Sequence, residues 1–195
     1  LKILFRFYQP QSIMKKILLV ILLSTLGFKA SAQEKDNEQI DNFGKIELGF
    51  HGLSFGYELP ISNKFVWENA IGAGMGMNAR GNSANYTLDV VRPVPFLKSK
   101  LKFVYNINKR IKKEKITVNN SGNYVALQTK YSFGKSGSFT YNPALLTEVH
   151  WGIQRSLGGN FIFNTHIGLG FVSDFDTSST AFSPTFGLAF GYRLF

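Results

Sequence analysis

The 195-residue sequence contains no cysteine. That excludes disulfides, thiolate metal sites and a cysteine nucleophile, and also the lipid-bearing cysteine of a bacterial lipoprotein. Charged residues are few, at 17%, and tryptophan occurs only twice. The low charge does not signal disorder, because 44% of the residues are hydrophobic, more than a chain without a core carries. Beyond residue 32 no apolar run is long enough for a transmembrane helix. The net charge of +10 is also less than it looks. Lys2, Arg6, Lys15, Lys16 and Lys29 supply half of it before residue 33. The modest remainder calls for no nucleic-acid partner.

Phenylalanine and glycine are abundant, at 19 each, a composition that favours β structure with close backbone packing. The amino-terminal part reads as a targeting segment. Met14-Lys15-Lys16 is a positive n-region, Ile17 to Phe28 an apolar stretch of 12 residues, and Ala30-Ser31-Ala32 an A-x-A cleavage signal. Residues 14–32 therefore read as a secretory signal peptide cut before Gln33; 12 apolar residues are too few to span a bilayer as a helix. Residues 1–13 read as an upstream extension with Met14 as the start, 33–43 as a flexible leader, and 44–195 as one barrel domain.

From Gly44 onward the apolar period is two. Phe65, Trp67, Ile71, Ala73 and Met75 alternate with polar or tiny residues, and so do Phe186, Leu188, Phe190, Tyr192 and Leu194. The same pattern runs through Leu97–Tyr105, Val125–Phe133, Leu145–Ile153 and Phe161–Phe171. Segments of about ten residues suit tilted strands that cross a bilayer. One phase break is informative. Ile46, Leu48 and Phe50 are apolar at even positions, whereas Leu53, Phe55, Tyr57 and Leu59 are apolar at odd ones. A one-residue slip would flip every later side chain, so a bulge or a tight turn is expected at His51-Gly52. A turn gives eight strands, and single-chain bacterial barrels have even numbers. Ile61–Asn63 and Ser156–Asn160 suit short periplasmic turns. Residues 78–92, 134–142 and 173–183 suit outer loops. Residues 106–120, with Lys109, Arg110, Lys112, Lys113 and Lys115, are expected in the periplasm as a solvated charged linker or a short basic helical turn.

The expected fold is all-β: an eight-stranded antiparallel transmembrane β-barrel preceded by a cleavable signal peptide. Two features favour an apolar exterior over a lipocalin-like apolar interior. The other face is rich in glycine, including Gly56, Gly72, Gly168, Gly170 and Gly187, which suits a narrow lumen rather than a solvated strand surface. The apolar-face aromatics Tyr57, Phe65, Trp67, Phe103, Tyr105, Trp151, Phe161, Phe163 and Tyr192 gather at one rim, as an interfacial girdle would.

The chain resembles the small outer-membrane barrels of the OmpA/OmpX type, and more closely a family of outer-membrane barrel-domain proteins of Bacteroidetes-type bacteria. The resemblance covers about Gly44 to Phe195. It is carried by Tyr105-Asn106 with Lys109-Arg110, by Asn119-Asn120-Ser121-Gly122-Asn123-Tyr124, and by the closing Gly191-Tyr192-Arg193-Leu194-Phe195. It implies outer-membrane lipids as surroundings and the barrel-assembly machinery as a partner during insertion. It implies no particular activity, and the sequence identifies no extracellular partner.

The inward face is expected to hold a charge network of Glu47, Glu58, Glu68, Lys98, Lys100, Lys102, Lys130, Glu148, His150 and Arg193, joined by His166, Gln128, Gln154 and Asn164. Unpaired charges there would be costly, so mutual pairing is expected. The leading expectation is a non-enzymatic barrel with a packed lumen and a structural or surface-interaction role. A narrow channel or small-molecule transporter, in its sharper form an anion-preferring pore lined by Lys98, Lys100 and Lys102, ranks second. A lipid-modifying enzyme, with His51 near Ser54, ranks third. No G-x-S-x-G, HExxH or carboxylate cluster of metal spacing is present, so no catalytic residue, metal or cofactor is assigned.

Overall fold

A computed structural model describes residues 40–80, 83–87, 93–134 and 141–195. The expected signal peptide and most of the expected leader lie outside the described residues. The elements are β1 (Phe43–Gly49), β2 (Gly52–Pro60), β3 (Phe65–Gly74), β4 (Gly76–Arg80), β5 (Ser83–Thr87), β6 (Val94–Phe103), α1 (Ile107–Ile111), a 3-10 turn (Val118–Asn120), β7 (Gly122–Ser132), β8 (Ala144–Gly158), β9 (Phe161–Asp174) and β10 (Thr180–Arg193). Strands β1, β2, β3, β6, β7, β8, β9 and β10 pair antiparallel in that order, and β10 closes on β1. The result is the eight-stranded antiparallel closed barrel that the phase break implied.

The break itself is a two-residue turn, Phe50-His51, with Gly49 facing Gly52 across it. Gly52 has φ +109°, and a Cβ there would lie 2.3 Å from the Ala73 carbonyl oxygen. Both its conformation and its surroundings therefore require glycine. The apolar side chains on either side of the turn share the outward face: Ile46 and Leu48 on β1, Leu53 and Phe55 on β2 are all exposed.

Two connections differ from expectation. Strand β3 stops at Gly74, short of Met75, and the chain forms a hairpin, β4–β5, where a polar outer loop is expected. Gly74 and Gly76 bracket this change. A Cβ on Gly74 would lie 2.0 Å from the His51 carbonyl oxygen, and one on Gly76 2.7 Å from the Tyr141 ring. The hairpin turns its apolar side into the barrel mouth away from the termini. There Met77 and Ala79 pack on the inward-facing Ala144, Leu146, Val172 and Ala181. Asp174 holds it from below: its carboxylate accepts from the Ala79 N–H (3.4 Å) and the Asn142 side-chain amide (3.0 Å). Met77→Asp would place a carboxylate where the side chain is only 1% exposed. Undocking is the expected outcome, read as proteolytic cleavage within residues 76–87 accelerated by about 10-fold or more, the rate rising as the population of open hairpin rises. An unchanged rate would show that the cluster does not hold the hairpin.

The second difference lies at the opposite mouth, where β1 begins and β10 ends. Residues 106–120 expose Lys109, Lys112, Lys113 and Lys115 to solvent but are anchored at both ends of the segment. The basic helical turn forms as α1 and buries Ile107 in a cluster with Ile40, Val66, Val104, Tyr124 and Ala126. The Arg110 guanidinium donates to the Ile116 carbonyl (2.6 Å), and partial burial holds its pKa below the ordinary value. Asn119 and Asn120 adopt φ of 56° and 52°, a left-handed geometry that asparagine tolerates better than most residues. This turns the chain inward, and Asn119, Asn120 and Ser121 are buried. The last leader residues are also part of the structure, with Ile40 in the cluster and Phe43 fully buried. Both mouths of the barrel are thus closed by apolar clusters.

Candidate functional site in the lumen

Alternation along each strand sends one residue in two inward. Between the two apolar caps these inward residues are mostly polar. Near the termini they form one ion network centred on Glu68, whose carboxylate lies 3.2 Å from Lys45 Nζ, 2.9 Å from Lys98, 3.4 Å from Lys100 and 3.1 Å from Lys102. Lys45 also meets Glu47 (2.8 Å) and Glu58 (2.8 Å), and Lys102 meets Glu58 (2.6 Å). Polar neighbours complete the layer. Asn120 donates to Glu58 (2.8 Å), Gln154 donates to Glu58 (3.2 Å), and Lys102 donates to Gln154 (3.1 Å). The register explains the convergence. Glu58 faces Glu68 across β2–β3, and Glu68 faces Lys100 across β3–β6. Like charges opposite one another on β2 and β3 are tolerable only because lysines from β1 and β6 reach between them.

Lys45 is the residue that the sequence reading missed. It shares the inward parity of Glu47 two positions on, and that was the available signal. Arg193, in contrast, does not join this network. It sits at the rim, donating to Asp41 (2.8 Å) and resting over the Phe43 ring (5.0 Å). Its place at the end of β10 puts it too far along the barrel axis, a coordinate that parity does not give.

Further from the termini is a second group. Gln128 donates to Glu148 (2.6 Å), whose carboxylate also lies 3.0 Å from His150 Nδ1 and 3.6 Å from His166 Nε2. The two imidazoles stack with centroids 4.1 Å apart, and His51 stacks on the far side of His166 at 6.0 Å. Lys130 has no carboxylate within 4.0 Å among the described residues. It rests over the Phe96 ring (4.3 Å) and reaches the Met75 carbonyl (3.5 Å). Beside this group lies a cavity of about 50 Å³ bordered by Glu47, His51, Lys98, Lys100, Lys130 and His166. That is room for a few water molecules. His51 and Ser54 both line it, but no hydrogen bond joins them among the described residues.

The chain matches no protein-family model, no curated protein and no solved structure. What it does is therefore argued from its own geometry.

The exterior is the second half of that geometry. Along the eight barrel strands the outward positions carry no charge except Arg155, near the termini end of β8. The aromatics expected as a girdle share this face at the termini end and touch one another. Phe65 packs on Phe103 (4.9 Å), Phe161 on Tyr192 (5.2 Å) and Phe163 on Phe190 (5.4 Å). Their polar atoms are engaged, with Trp151 donating to Tyr105 (2.9 Å), Trp67 to Ser99 (2.9 Å) and Asn42 to Tyr57 (2.8 Å). The outward aromatics are not confined to one rim, however. A second belt lies toward the hairpin end, with Phe171 on Phe182 (5.1 Å), Phe50 on Phe186 (5.7 Å) and Tyr131 on Phe133 (5.0 Å). Of these rings only Phe182 falls in an expected outer loop, because β10 starts at Thr180, within residues 173–183.

Proposed function

We propose that the chain is an integral outer-membrane barrel whose lumen is sealed, serving as a structural or surface-interaction element of the envelope rather than as a pore or an enzyme. One observation carries this reading: the barrel has its polarity inverted, with exposed apolar side chains outside and buried ion pairs inside. A contiguous apolar exterior of this extent is not sustained in water. The two aromatic belts support a membrane span of ordinary thickness. Phe161 and Phe171 are ten residues apart on β9, roughly 34 Å at about 3.4 Å per residue. A tilt of about 40° projects that length onto roughly 25 Å, the height of the apolar band in such barrels. On this reading the termini, α1 and the basic residues 109–115 face the periplasm, the β4–β5 hairpin faces outward, and the export signal is the segment at 14–32.

The sealed lumen argues against transport. A solute would have to part the Met77 cluster, the ion network and the Ile107 cluster in turn. Protein refolded in detergent and added to a planar bilayer is expected to insert without discrete conductance steps and to run on gels with heat-modifiable mobility. Reproducible unitary steps would favour the narrow anion channel instead. Recovery of the native protein in a soluble periplasmic fraction would defeat the membrane reading altogether.

A further inference from the structure

The chain has three histidines. They come from the β1–β2 turn, β8 and β9, and all three rings meet in the lumen. Two of them converge on one buried carboxylate. We propose that Glu148, His150 and His166 form a binding site for a divalent transition-metal ion of borderline softness, with zinc as the first candidate.

The site is built by register. Glu148 and His150 are two apart on β8 and share the inward face, and His166 arrives diagonally from β9, where His150 faces Gly168. Each candidate ligand lies directly across from a glycine: Glu148 from Gly170, His150 from Gly168, His166 from Gly187. None of these glycines has a positive φ, so each is there for space. A Cβ on Gly168 would lie 2.4 Å from the His150 Cβ, and one on Gly187 2.1 Å from His166 Cε1. The backbone has been cleared on β9 and β10 to admit these three side chains.

Their donor atoms are closely spaced, and the imidazole nitrogens facing the carboxylate have no hydrogen-bond partner among the described residues. One ligand atom from each residue lies within 4.8 Å of the others. Glu148 Oε1 is 3.0 Å from His150 Nδ1 and 3.6 Å from His166 Nε2. Atoms bound to zinc at about 2.0–2.1 Å with tetrahedral angles stand about 3.3 Å apart. The contact between Glu148 and His150 is close but not aligned as a hydrogen bond. Both His150 nitrogens, His166 Nε2 and Glu148 Oε2 are buried without a hydrogen-bond partner among the described residues. Buried polar atoms are rarely left so, and four orphaned atoms on three adjoining residues point to a shared ligand. Two imidazoles and a carboxylate suit zinc, and also nickel, cobalt and copper, while thiolate-seeking or all-oxygen ions fit poorly. Gln128, hydrogen-bonded to Glu148, supplies the outer support that metal-binding carboxylates have. The cavity lined by Lys98, Lys100 and Lys130 adjoins His166. These lysines oppose a bare dication, so an anionic fourth ligand is expected with it.

Tag-free protein, refolded and stripped with chelator, is titrated with zinc against a chromophoric competitor, and separately with cobalt as a spectroscopic probe. The expected result is one equivalent of zinc per folded chain and ligand-field bands from cobalt that vanish on unfolding. Glu148→Gln and His166→Ala should each weaken zinc binding by at least about 10-fold, the lower bound for loss of a supporting outer group alone. Folding of each variant is checked by gel mobility. If His166→Ala does not fold, the near-isosteric Glu148→Gln decides. Failure of the folded wild type to bind stoichiometric zinc overturns the proposal, as does undiminished binding by folded Glu148→Gln.

Discussion

Glu68→Gln is expected to cost more stability than any other single change in the lumen. The substitution keeps volume and shape but removes the charge on which four lysines converge. Glu47 and Glu58 would then face Lys45, Lys98, Lys100 and Lys102 alone. Breaking a buried pair by removing one partner costs about 3–5 kcal/mol, because the other charge is left without compensation. With four cations affected, the loss should reach the upper end of that range. The measurement is urea unfolding in detergent micelles, followed by tryptophan emission and by the fraction of protein with folded mobility. A second substitution sharpens the test. Lys100 has a single carboxylate contact in this layer, to Glu68 at 3.4 Å. Adding Lys100→Met to Glu68→Gln removes the cation most dependent on the lost charge, and it should recover part of the stability. A loss below about 1 kcal/mol for Glu68→Gln would mean that water or counterions reach the lysines freely, and the sealed lumen would then be wrong.

The same residues show what a sequence of this kind discloses. Period-two alternation tells which face each side chain joins, so the inward placement of Glu47, Glu58, Glu68, Lys98, Lys100, Lys102, Lys130 and Glu148 was legible. It does not tell how far along the axis each one lies, because that depends on strand stagger. Hence Arg193 was grouped with charges it does not meet. Nor does it reveal which inward residues of neighbouring strands meet. Glu148 and His150 are adjacent in the pattern, but the sixteen residues from His150 to His166 hide a diagonal contact on the next strand. The β4–β5 hairpin was missed for another reason. Its inward residues, Met77 and Ala79, are too few to stand out within a run of asparagine, serine and glycine, and their burial comes from the barrel mouth rather than from the hairpin's own pattern. Asn119 and Asn120 read as loop polarity, and their inward turn follows from backbone geometry that composition only permits.

Leu127→Arg tests the placement in a membrane, on which the proposed function depends. Leu127 is on the outward face of β7 and half-exposed, with Leu101 and Val149 directly across on either side. Along β7 it lies between Val125, whose cross-strand neighbours Phe103 and Trp151 belong to the termini-end belt, and Tyr131 of the opposite belt. It is therefore close to the middle of the apolar band. An arginine near a bilayer midplane destabilises a barrel by about 2–4 kcal/mol, falling to about 0–1 near the interface. In lipid vesicles Leu127→Arg should lose the larger amount. Leu157→Arg, at the termini end of β8 and just as exposed, should lose the smaller. In water the contrast disappears. A charged residue replacing an exposed leucine on a soluble surface changes stability by about ±0.5 kcal/mol, and depth along the strand is irrelevant. The two variants, measured by urea titration in vesicles, separate the possibilities by their difference rather than by either value alone. A pronounced gap between them requires hydrocarbon around the middle of the barrel. Equal and small losses would return the apolar face to a protein partner, because water alone does not tolerate it.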